Sequence, residues 1–531
     1  MTSARPLIIG TRGSKLALWQ AEHIASRLKA SGHPCELRII TTKGDQVQHL
    51  GFDKLEGKGF FTKELEEALI NGSIDLAVHS CKDLETRGPE ELVISAIAGR
   101  AACEELMIVR REAVDQGRAL FVRERANVGT SSARRKSQLK AFRPDVRISD
   151  LRGNVPTRVE KLRSGAYDAI LLAKAGIDRL DLDLSDLAVF TLDARWFIPA
   201  PAQGALAVQT RKDDARTIEA ARSLHDDEAA ATAECERAVL RAYHGGCQVP
   251  LGVHVTKRDH EYAVWASASR EWNEMPRRIH LRGDDPAALA KAAVLRMQSS
   301  IRPTSVNITR AIKGDEPLVR MLAPHGIKVI GVPFFEAEAI GFKMPMDQDR
   351  IFFTSRNAVR YFAHGGGTAA EVAMRDTPCD AIGSGTADEL RKHGAEPGFI
   401  GDGPDTPTIA REYAQRFHAA RVLFPCAAEG QRPVQSALVQ ENVTDLHVYR
   451  MRANTNVHVP VCDVVILTSP DSAEAFFSLI PFPRFTQCIA MGTSTAQRIK
   501  EISGRASIIP WSSNEMALID AVFNIATDQP H

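Results

Sequence analysis

A chain of 531 residues exceeds one ordinary hydrophobic core and sets an expectation of about three to five structural domains. Hydrophobic residues at 44% and charged residues at 25% are the balance of a globular protein, and no apolar run reaches the about 18 residues of a spanning helix. A net charge of +1 excludes a chain-wide field that would gather nucleic acid or an anionic membrane, so any electropositive site has to be local.

The first ten residues lack the apolar stretch of a signal peptide. The nine cysteines, Cys35, Cys81, Cys103, Cys235, Cys247, Cys379, Cys426, Cys462 and Cys488, are scattered, with no Cys-x-x-Cys pair. Neither a disulfide framework nor a metal site is expected, and a reducing cytoplasm is the expected compartment.

In chain order, the spacing predicts a strand over 6–10 and a helix over 15–28, with Leu16, Trp19, Ile24 and Leu28 on one broad face. Further helices are predicted over 63–70 and 133–142, and a strand over 74–79. Strands alternating with helices imply an α/β fold with largely parallel sheets. From about 227 to 301 the pattern becomes a helix, β segments such as 261–268, and a helix over 286–299, which reads as a small α+β domain. A new unit starts at Arg302-Pro-Thr304 with a strand over 305–309.

That unit carries an internal duplication. Ile351-Phe-Phe-Thr-Ser355 is echoed by Val465-Ile-Leu-Thr-Ser469, and Ile382-Gly-Ser-Gly-Thr-Ala387 by Met491-Gly-Thr-Ser-Thr-Ala496. The gap is 28 residues in one copy (Ser355 to Gly383) and 23 in the other (Ser469 to Gly492). Two similar α/β lobes are expected, with crossings near 336–342 and just after Tyr449.

Chemistry gathers at three junctions of the first half: Gly10-Thr-Arg-Gly-Ser14, Gly129-Thr-Ser-Ser-Ala-Arg-Arg135 and Leu151-Arg-Gly-Asn-Val-Pro-Thr-Arg158. Free N–H groups at a helix start, beside hydroxyls and glycines, suit an anion. Arg134 and Arg135 fall in a first turn, where the helix dipole disfavours cations. A solvated basic face is the plain reading of that pair. With Arg12, Lys58, Lys82, Arg152 and Arg158 added, a groove for a ligand with several carboxylates or phosphates is the stronger one. No Gly-x-x-x-x-Gly-Lys-Ser/Thr run is present, so a nucleotide is not the favoured anion. Asp83, just beyond a strand, is either an ion-pair partner of its neighbours or a carboxylate reserved for a cationic or N–H-bearing centre of the ligand. Lys58 in Gly57-Lys-Gly59 lies on a loop, as a mobile substrate contact or a plain turn. Cysteines are mostly small buried hydrophobes, but two glycines and a nearby proline put Cys247 on a turn that can expose its thiol.

These stretches resemble the porphobilinogen deaminase (hydroxymethylbilane synthase) family. Thr11-Arg-Gly-Ser-Lys-Leu-Ala-Leu-Trp-Gln20, Gly57-Lys-Gly-Phe-Phe-Thr-Lys-Glu-Leu-Glu66, Val78-His-Ser-Cys-Lys-Asp83, Ala202-Gln-Gly-Ala-Leu206 and Gly245-Gly-Cys-Gln-Val-Pro250 join the last two junctions as seven motifs in the family's order. The resemblance implies two lobes of the type II periplasmic binding protein kind plus a small α+β domain, with boundaries at 1–101 with 199–222, 102–198 and 223–302. It implies a covalent dipyrromethane cofactor on Cys247, onto which four porphobilinogens are added with loss of ammonia to give hydroxymethylbilane. Each pyrrole brings an acetate and a propionate, which bidentate arginines suit. By the residue match, Lys82, Ser132, Arg134, Arg135 and Arg158 hold cofactor carboxylates. Arg12, Ser14, Lys58, Arg152 and Arg158 hold substrate. Asp83 is catalytic, stabilising the azafulvene left when ammonia departs, and Lys58 joins it. Two stretches depart from the family: Leu84-Glu85 replaces Val-Pro or Leu-Pro, and Arg100-Ala-Ala-Cys-Glu-Glu-Leu106 replaces Arg-Glu-Asp-Pro-Arg-Asp-Ala near an expected hinge.

Residues 303–531 resemble uroporphyrinogen-III synthase through Ile308-Thr-Arg310, Phe353-Thr-Ser-Arg-Asn-Ala-Val359, Gly383-Ser-Gly-Thr-Ala387, Val448-Tyr-Arg450, Leu467-Thr-Ser-Pro470 and Gly492-Thr-Ser-Thr-Ala496. Pro425-Cys-Ala427 stands where many members have Pro-Arg-Gly. The implied bilobed α/β unit, 303–340 with 453–531 and 341–452, closes hydroxymethylbilane to uroporphyrinogen III with inversion of the last ring and loss of water. Ser355, Thr386, Ser469 and Thr495 are implied to line its cleft, with Tyr449 catalytic; a packed linker tyrosine is the plain alternative. The expected partners are these small molecules, with no nucleic acid or membrane, and the expected state is a monomer. Two rival readings are a deaminase with a decayed or regulatory C-terminal domain, and a non-enzymatic anion-binding module.

Overall fold

The computed structural model describes residues 5–42, 62–243, 249–300, 302–345, 347–401, 406–430, 432–454, 456–480 and 487–525. The chain divides into two compact units, Met1–Ser300 and Ile301–His531.

In the first unit, the apolar run Leu7–Thr11 forms a strand and Ser14 opens the helix Lys15–Ala30, its side chain accepting from Ala17 N at 3.3 Å. That helix seats Ala21, Ile24, Ala25 and Leu28 on the sheet. Each large aliphatic side chain so buried contributes about 1.5–3 kcal/mol. Leu16 and Trp19, expected on this face, are only half-buried. Trp19 instead stacks on His23 and lies under Arg179 of the helix Lys174–Leu180, because it faces the neighbouring lobe rather than its own sheet.

The first sheet runs Cys35–Ile39, Leu7–Thr11, Leu76–Ser80, Ala205–Arg211, Leu92–Arg100 in spatial order. Its first three strands are parallel, and Ala205–Arg211 is antiparallel to both neighbours. The second sheet runs Arg147–Ser149, Asn127–Gly129, Ala169–Ala173, Glu105–Val109, Ala188–Leu192. The chain therefore crosses out after Arg100 and back before Ala205. These two crossings touch, Ala101 N donating to Gly204 O at 3.1 Å. Gly204 has φ +89°, and a Cβ there would collide with Ala101 O, so only glycine fits. A third, antiparallel sheet of Leu251–Arg258, Glu261–Ala268 and Arg277–Gly283 packs against the helices Asp227–Ala242 and Pro286–Gln298.

The second unit has a parallel sheet ordered Lys328–Gly331, Ser305–Ile308, Val464–Leu467, Gln487–Ala490. Its larger sheet is ordered Phe335–Ala339, Val443–Ala453, Val422–Ala427, Arg350–Phe353, Cys379–Ala381, Phe399–Ile400. Both crossings are strands of this larger sheet, paired antiparallel with Ala339 opposite Tyr449 and Phe335 opposite Ala453. Phe335–Ala339 thus joins the second lobe by hydrogen bonding, earlier in the chain than a boundary at 340 expects. The duplication is explicit. Ser355 and Ser469 each cap a helix after a strand, Gly383 and Gly492 each precede a helix after the next strand, and the two strands of each copy are parallel neighbours. Among the described residues no helix is long and apolar enough to cross a membrane.

The larger sheet carries a buried ion pair. Arg350 Nε and Nη2 reach the Asp380 carboxylate at 2.7 and 2.6 Å, and Tyr413 OH donates to it at 2.7 Å. Asp380 is fully buried, and the Arg350 guanidinium lies 4.0 Å from the Phe417 ring centroid. Asp380→Ala leaves a guanidinium and a phenol without their acceptor. It is expected to cost about 3–5 kcal/mol, read as a lower urea midpoint for the second unit alone. A loss below about 1 kcal/mol would make the pair no better than a surface one.

Candidate functional site

The three junctions of the first unit are built alike. Ser14 caps the first helix, Ser132 caps Ala133–Phe142, and Asn154 caps Val155–Arg163, each side chain accepting from a backbone N–H of the first turn. A capping hydroxyl keeps its own hydrogen to donate. Ser131 sews the second junction to the third, its Oγ donating to Leu151 O and accepting from Leu151 N, both at 3.0 Å. Arg158 is aimed by a 2.7 Å bond from its Nε to Gly153 O. Arg12 and Arg152 are half-buried beside these turns.

Under the junctions lies a polar network that spans both crossings. Glu105, wholly buried, takes Arg134 Nη2 at 2.6 Å and Arg135 Nη2 at 2.7 Å. The remaining terminal nitrogens of those arginines hold Ile198 O and Leu171 O, each at 3.0 Å. Gln203 Nε2 donates to Glu105 at 3.2 Å and to Cys103 O at 2.8 Å, while its Oε1 accepts Lys82 Nζ at 3.1 Å. Lys82 and Asp83 share the 3-10 turn Cys81–Asp83 at the end of Leu76–Ser80, with the Asp83 side chain exposed.

The electrostatics follow from this crowding. Burial alone would raise Glu105, but the charges of Arg135 and Arg134 outweigh it and hold the carboxyl well below the usual range. Burial pushes Lys82 down to about 8 against the attraction of Asp83, and Arg135 adds to the push. Burial also draws Arg158 down to about 10, helped by Arg135 and Arg152 and opposed by Asp83. Five cations (Lys82, Arg134, Arg135, Arg152, Arg158) feel one another here against two carboxylates, Asp83 and Glu105.

In the second unit, Ser355 Oγ accepts from Ala358 N at 3.0 Å and lies 3.2 Å from Tyr449 OH. Tyr449 is buried and stacked on Tyr361, and burial pushes its phenol up despite the hydrogen bond with Ser355. Ser469 forms a capping box with Ser472. Thr386 and Thr495 are buried on the inner faces of Ser384–Lys392 and Thr493–Ser503, and Thr495 Oγ1 donates to Met491 O at 3.4 Å. The structure thus brings Ser355 and Tyr449 into contact and sets the two threonines into helix packing.

A family model described as porphobilinogen deaminase, dipyrromethane cofactor binding domain, matches residues 7–219. Porphobilinogen deaminase from Nitratiruptor sp. is 43% identical over 251 residues, 47% of this chain and 78% of that one. The deaminase from Rubrobacter xylanophilus is 45% identical over 246 residues, 46% of this chain and 78% of its own. The chain belongs to the porphobilinogen deaminase family. After the deaminase unit, the family model for uroporphyrinogen-III synthase HemD matches residues 316–520. A uroporphyrinogen-III synthetase structure from Helicobacter pylori is similar with a TM-score of 0.31 and 18% identity, over 40% of this chain and 96% of that one. With both domains present, the chain is a bifunctional enzyme of tetrapyrrole biosynthesis.

The cofactor of the deaminase unit is dipyrromethane. The residues present fit it: the cations outnumber the carboxylates, and Arg135 Nε is a buried donor with no hydrogen-bond partner among the described residues. A group with a carboxylate on every arm meets both features. Cys247 and Lys58 lie outside the described residues. The eight described cysteines carry free thiols, seven buried and Cys103 half-buried. Glu105 escaped the sequence reading because it stood in the stretch that departs from the family. The available signal was a carboxylate opening the wholly apolar run Leu106-Met-Ile-Val109, which demands a buried cation.

Because Glu105 is depressed in the folded state, its ionised form contributes stability above the unfolded carboxyl value of about 4.3, and that contribution fades as pH falls below it. Glu105→Gln is therefore expected to lower the melting temperature of the first unit at pH 7 and to converge on the parent as acid is added. A gap that stays constant from pH 7 to below about 4 would mean the carboxylate charge is not what holds the arginines.

Proposed function

We propose that the deaminase unit polymerises four porphobilinogens to hydroxymethylbilane with release of ammonia, and that the second unit closes this product to uroporphyrinogen III with loss of water. The observation that carries the first half is the network under Asp83, in which Lys82, Gln203, Glu105, Arg134 and Arg135 form one connected set. Dipyrromethane, bound through the Cys247 sulfur, would supply the pyrrole terminus onto which the substrate units are added. Arg135 and Arg158, with Lys82 and Ser132, hold its carboxylates; Arg134, expected among them, has its terminal nitrogens on Ile198 O and Glu105 and instead fixes Glu105 behind them. Arg12, Ser14 and Arg152, at the junction turns, take the acetate and propionate of the substrate, with Lys58, outside the described residues, as a further substrate contact.

Asp83 projects from its turn as an exposed carboxylate among cations. Departure of ammonia leaves the substrate ring short of electrons, with positive charge shared onto its N–H. A fixed carboxylate stabilises that charge as it develops. The enzyme is expected to carry a mass increment of two porphobilinogens less two ammonias, and Asp83→Asn to retain it while losing about 100-fold or more in rate. Turnover within about twofold of the parent would leave Asp83 a structural neighbour of Lys82.

In the second unit the reaction needs few charged groups, because the hydroxyl of hydroxymethylbilane departs readily and the pocket chiefly has to fold the chain. The Ser355–Tyr449 pair carries this reading. A neutral Tyr449 donates a hydrogen bond to the leaving hydroxyl, while the strand-to-helix turns at Ser469 and Gly492 offer N–H groups to substrate carboxylates. Supplied with porphobilinogen, the full chain is expected to give chiefly the type III isomer, since unaided closure gives type I. Type I alone would mark the second unit as inactive in ring closure. A monomer in the cytoplasm suits both reactions.

A further inference from the structure

The helix Asp227–Ala242 presents two consecutive buried charges, Glu236 and Arg237, which helix geometry points about 100° apart. Glu236 faces the crossings: it receives Arg100 Nη2 at 2.9 Å, Ala202 N at 2.6 Å and Val255 N at 2.8 Å. Arg237 faces the catalytic turn. Its Nη1 donates to Cys81 O at 3.2 Å and Leu84 O at 3.1 Å, and its Nη2 to Glu85 O at 2.7 Å. These carbonyls stand on both sides of Asp83.

Apart from the burial of Cys81 and Leu84 and the Lys82–Gln203 bond, the turn is weakly held along its backbone. It is three residues long, with Leu84 N to Cys81 O at 3.3 Å as its closing bond. Position 85 is glutamate, so no proline ring stiffens the exit. A planar guanidinium donating to three carbonyls sets the spacing of the peptide planes that carry Lys82 and Asp83, which a flexible ammonium would do less well. Burying a guanidinium among carbonyl dipoles is costly unless its bonds are well made, and here they converge on the one turn bearing the proposed catalytic carboxylate.

We propose that Arg237 is a positioning residue of the deaminase reaction: from the small third domain it fixes the turn that aims Asp83. This rests on the reading of Asp83 given above. The helix that carries Arg237 ends at Ala242, five residues before Cys247 in sequence. The element leading to the cofactor cysteine therefore also sets the turn of the carboxylate.

The test uses the full chain with Arg237→Met, which keeps an apolar stem, and Arg237→Lys, each alone and combined with Asp83→Asn. Rates are taken per molecule bearing the two-porphobilinogen mass increment. Arg237→Met is expected to lower kcat about 10- to 100-fold with KM little changed, and Arg237→Lys to recover part of the loss. In the Asp83→Asn background, Arg237→Met is expected to cost nothing further, since the group it aims is gone. Losses that multiply, so that Arg237→Met slows the enzyme by the same factor with or without Asp83, overturn the inference, as does an unchanged kcat. Should Arg237→Met fail to fold, Arg237→Lys carries the same comparison. An Asp83→Asn enzyme as fast as the parent overturns the Asp83 reading itself, which separates the two failures.

Discussion

One buried carboxylate governs the first unit. Glu105 is the charge that lets Arg134 and Arg135 sit side by side out of water, and each such ion would otherwise cost several kcal/mol. It neutralises only part of what surrounds it. Burial lowers the pKa of both Lys82 and Arg158, and the nearby charge of Arg135 adds to it, so a polycarboxylate ligand would relieve both. A site fully balanced within the protein would hold its shape better and its ligand worse. In the proposed site the deficit of carboxylate is what a polycarboxylate ligand would recognise.

The same network explains why the crossings are so tightly made. Glu105 follows one crossing and Gln203 precedes the other, and Gly204 lets the two backbones touch at Ala101. Gln203 connects Lys82 of one lobe with Glu105 of the other. Glu236 brings the third domain to this point by binding Arg100, itself bonded to Gln203 O. Hinge and ligand cluster are therefore one structure. Any change in the angle between the lobes would therefore act directly on the spacing of the cations.

Much of this architecture is written locally and was legible. The helix Lys63–Ile70 falls where its apolar positions Leu65, Ala68 and Leu69 put it, the helix Ala133–Phe142 starts at its Ser132 cap, and the strand Glu261–Ala268 lies where the sequence places it. The duplicated Thr-Ser and Gly elements could be read because a strand-to-helix turn constrains its residue types wherever it occurs. What was not legible depends on partners distant in sequence. Glu105 meets Arg134 and Arg135 about 30 positions on, Gln203 meets Lys82 across 121, and Arg237 meets Cys81 across 156. Trp19 fits the helical stripe yet serves an interface between lobes, which a single-helix pattern cannot distinguish from a core. The strand Phe335–Ala339 reads as a crossing and becomes a sheet edge only through its pairing with Val443–Ala453.

The two units solve opposite electrostatic problems. For the proposed reaction the deaminase unit has to hold many negative charges while positive charge appears, which its cluster of cations and the exposed Asp83 carboxylate would suit. At the Ser355–Tyr449 pair the groups in contact are hydroxyls, one at a helix start and one on a strand. Burial raises the phenol, so at neutral pH Tyr449 can donate a hydrogen but not accept a proton as phenolate. That suits a step in which a hydroxyl departs and no strong base is needed. Tyr361 stacks on the Tyr449 ring at 5.4 Å and gives its own hydroxyl to Ala337 O at 2.6 Å. Tyr449 is thereby held by packing on its face and by Ser355 at its tip. A side chain so fixed can favour one folded form of a flexible substrate over another without forming any charge of its own.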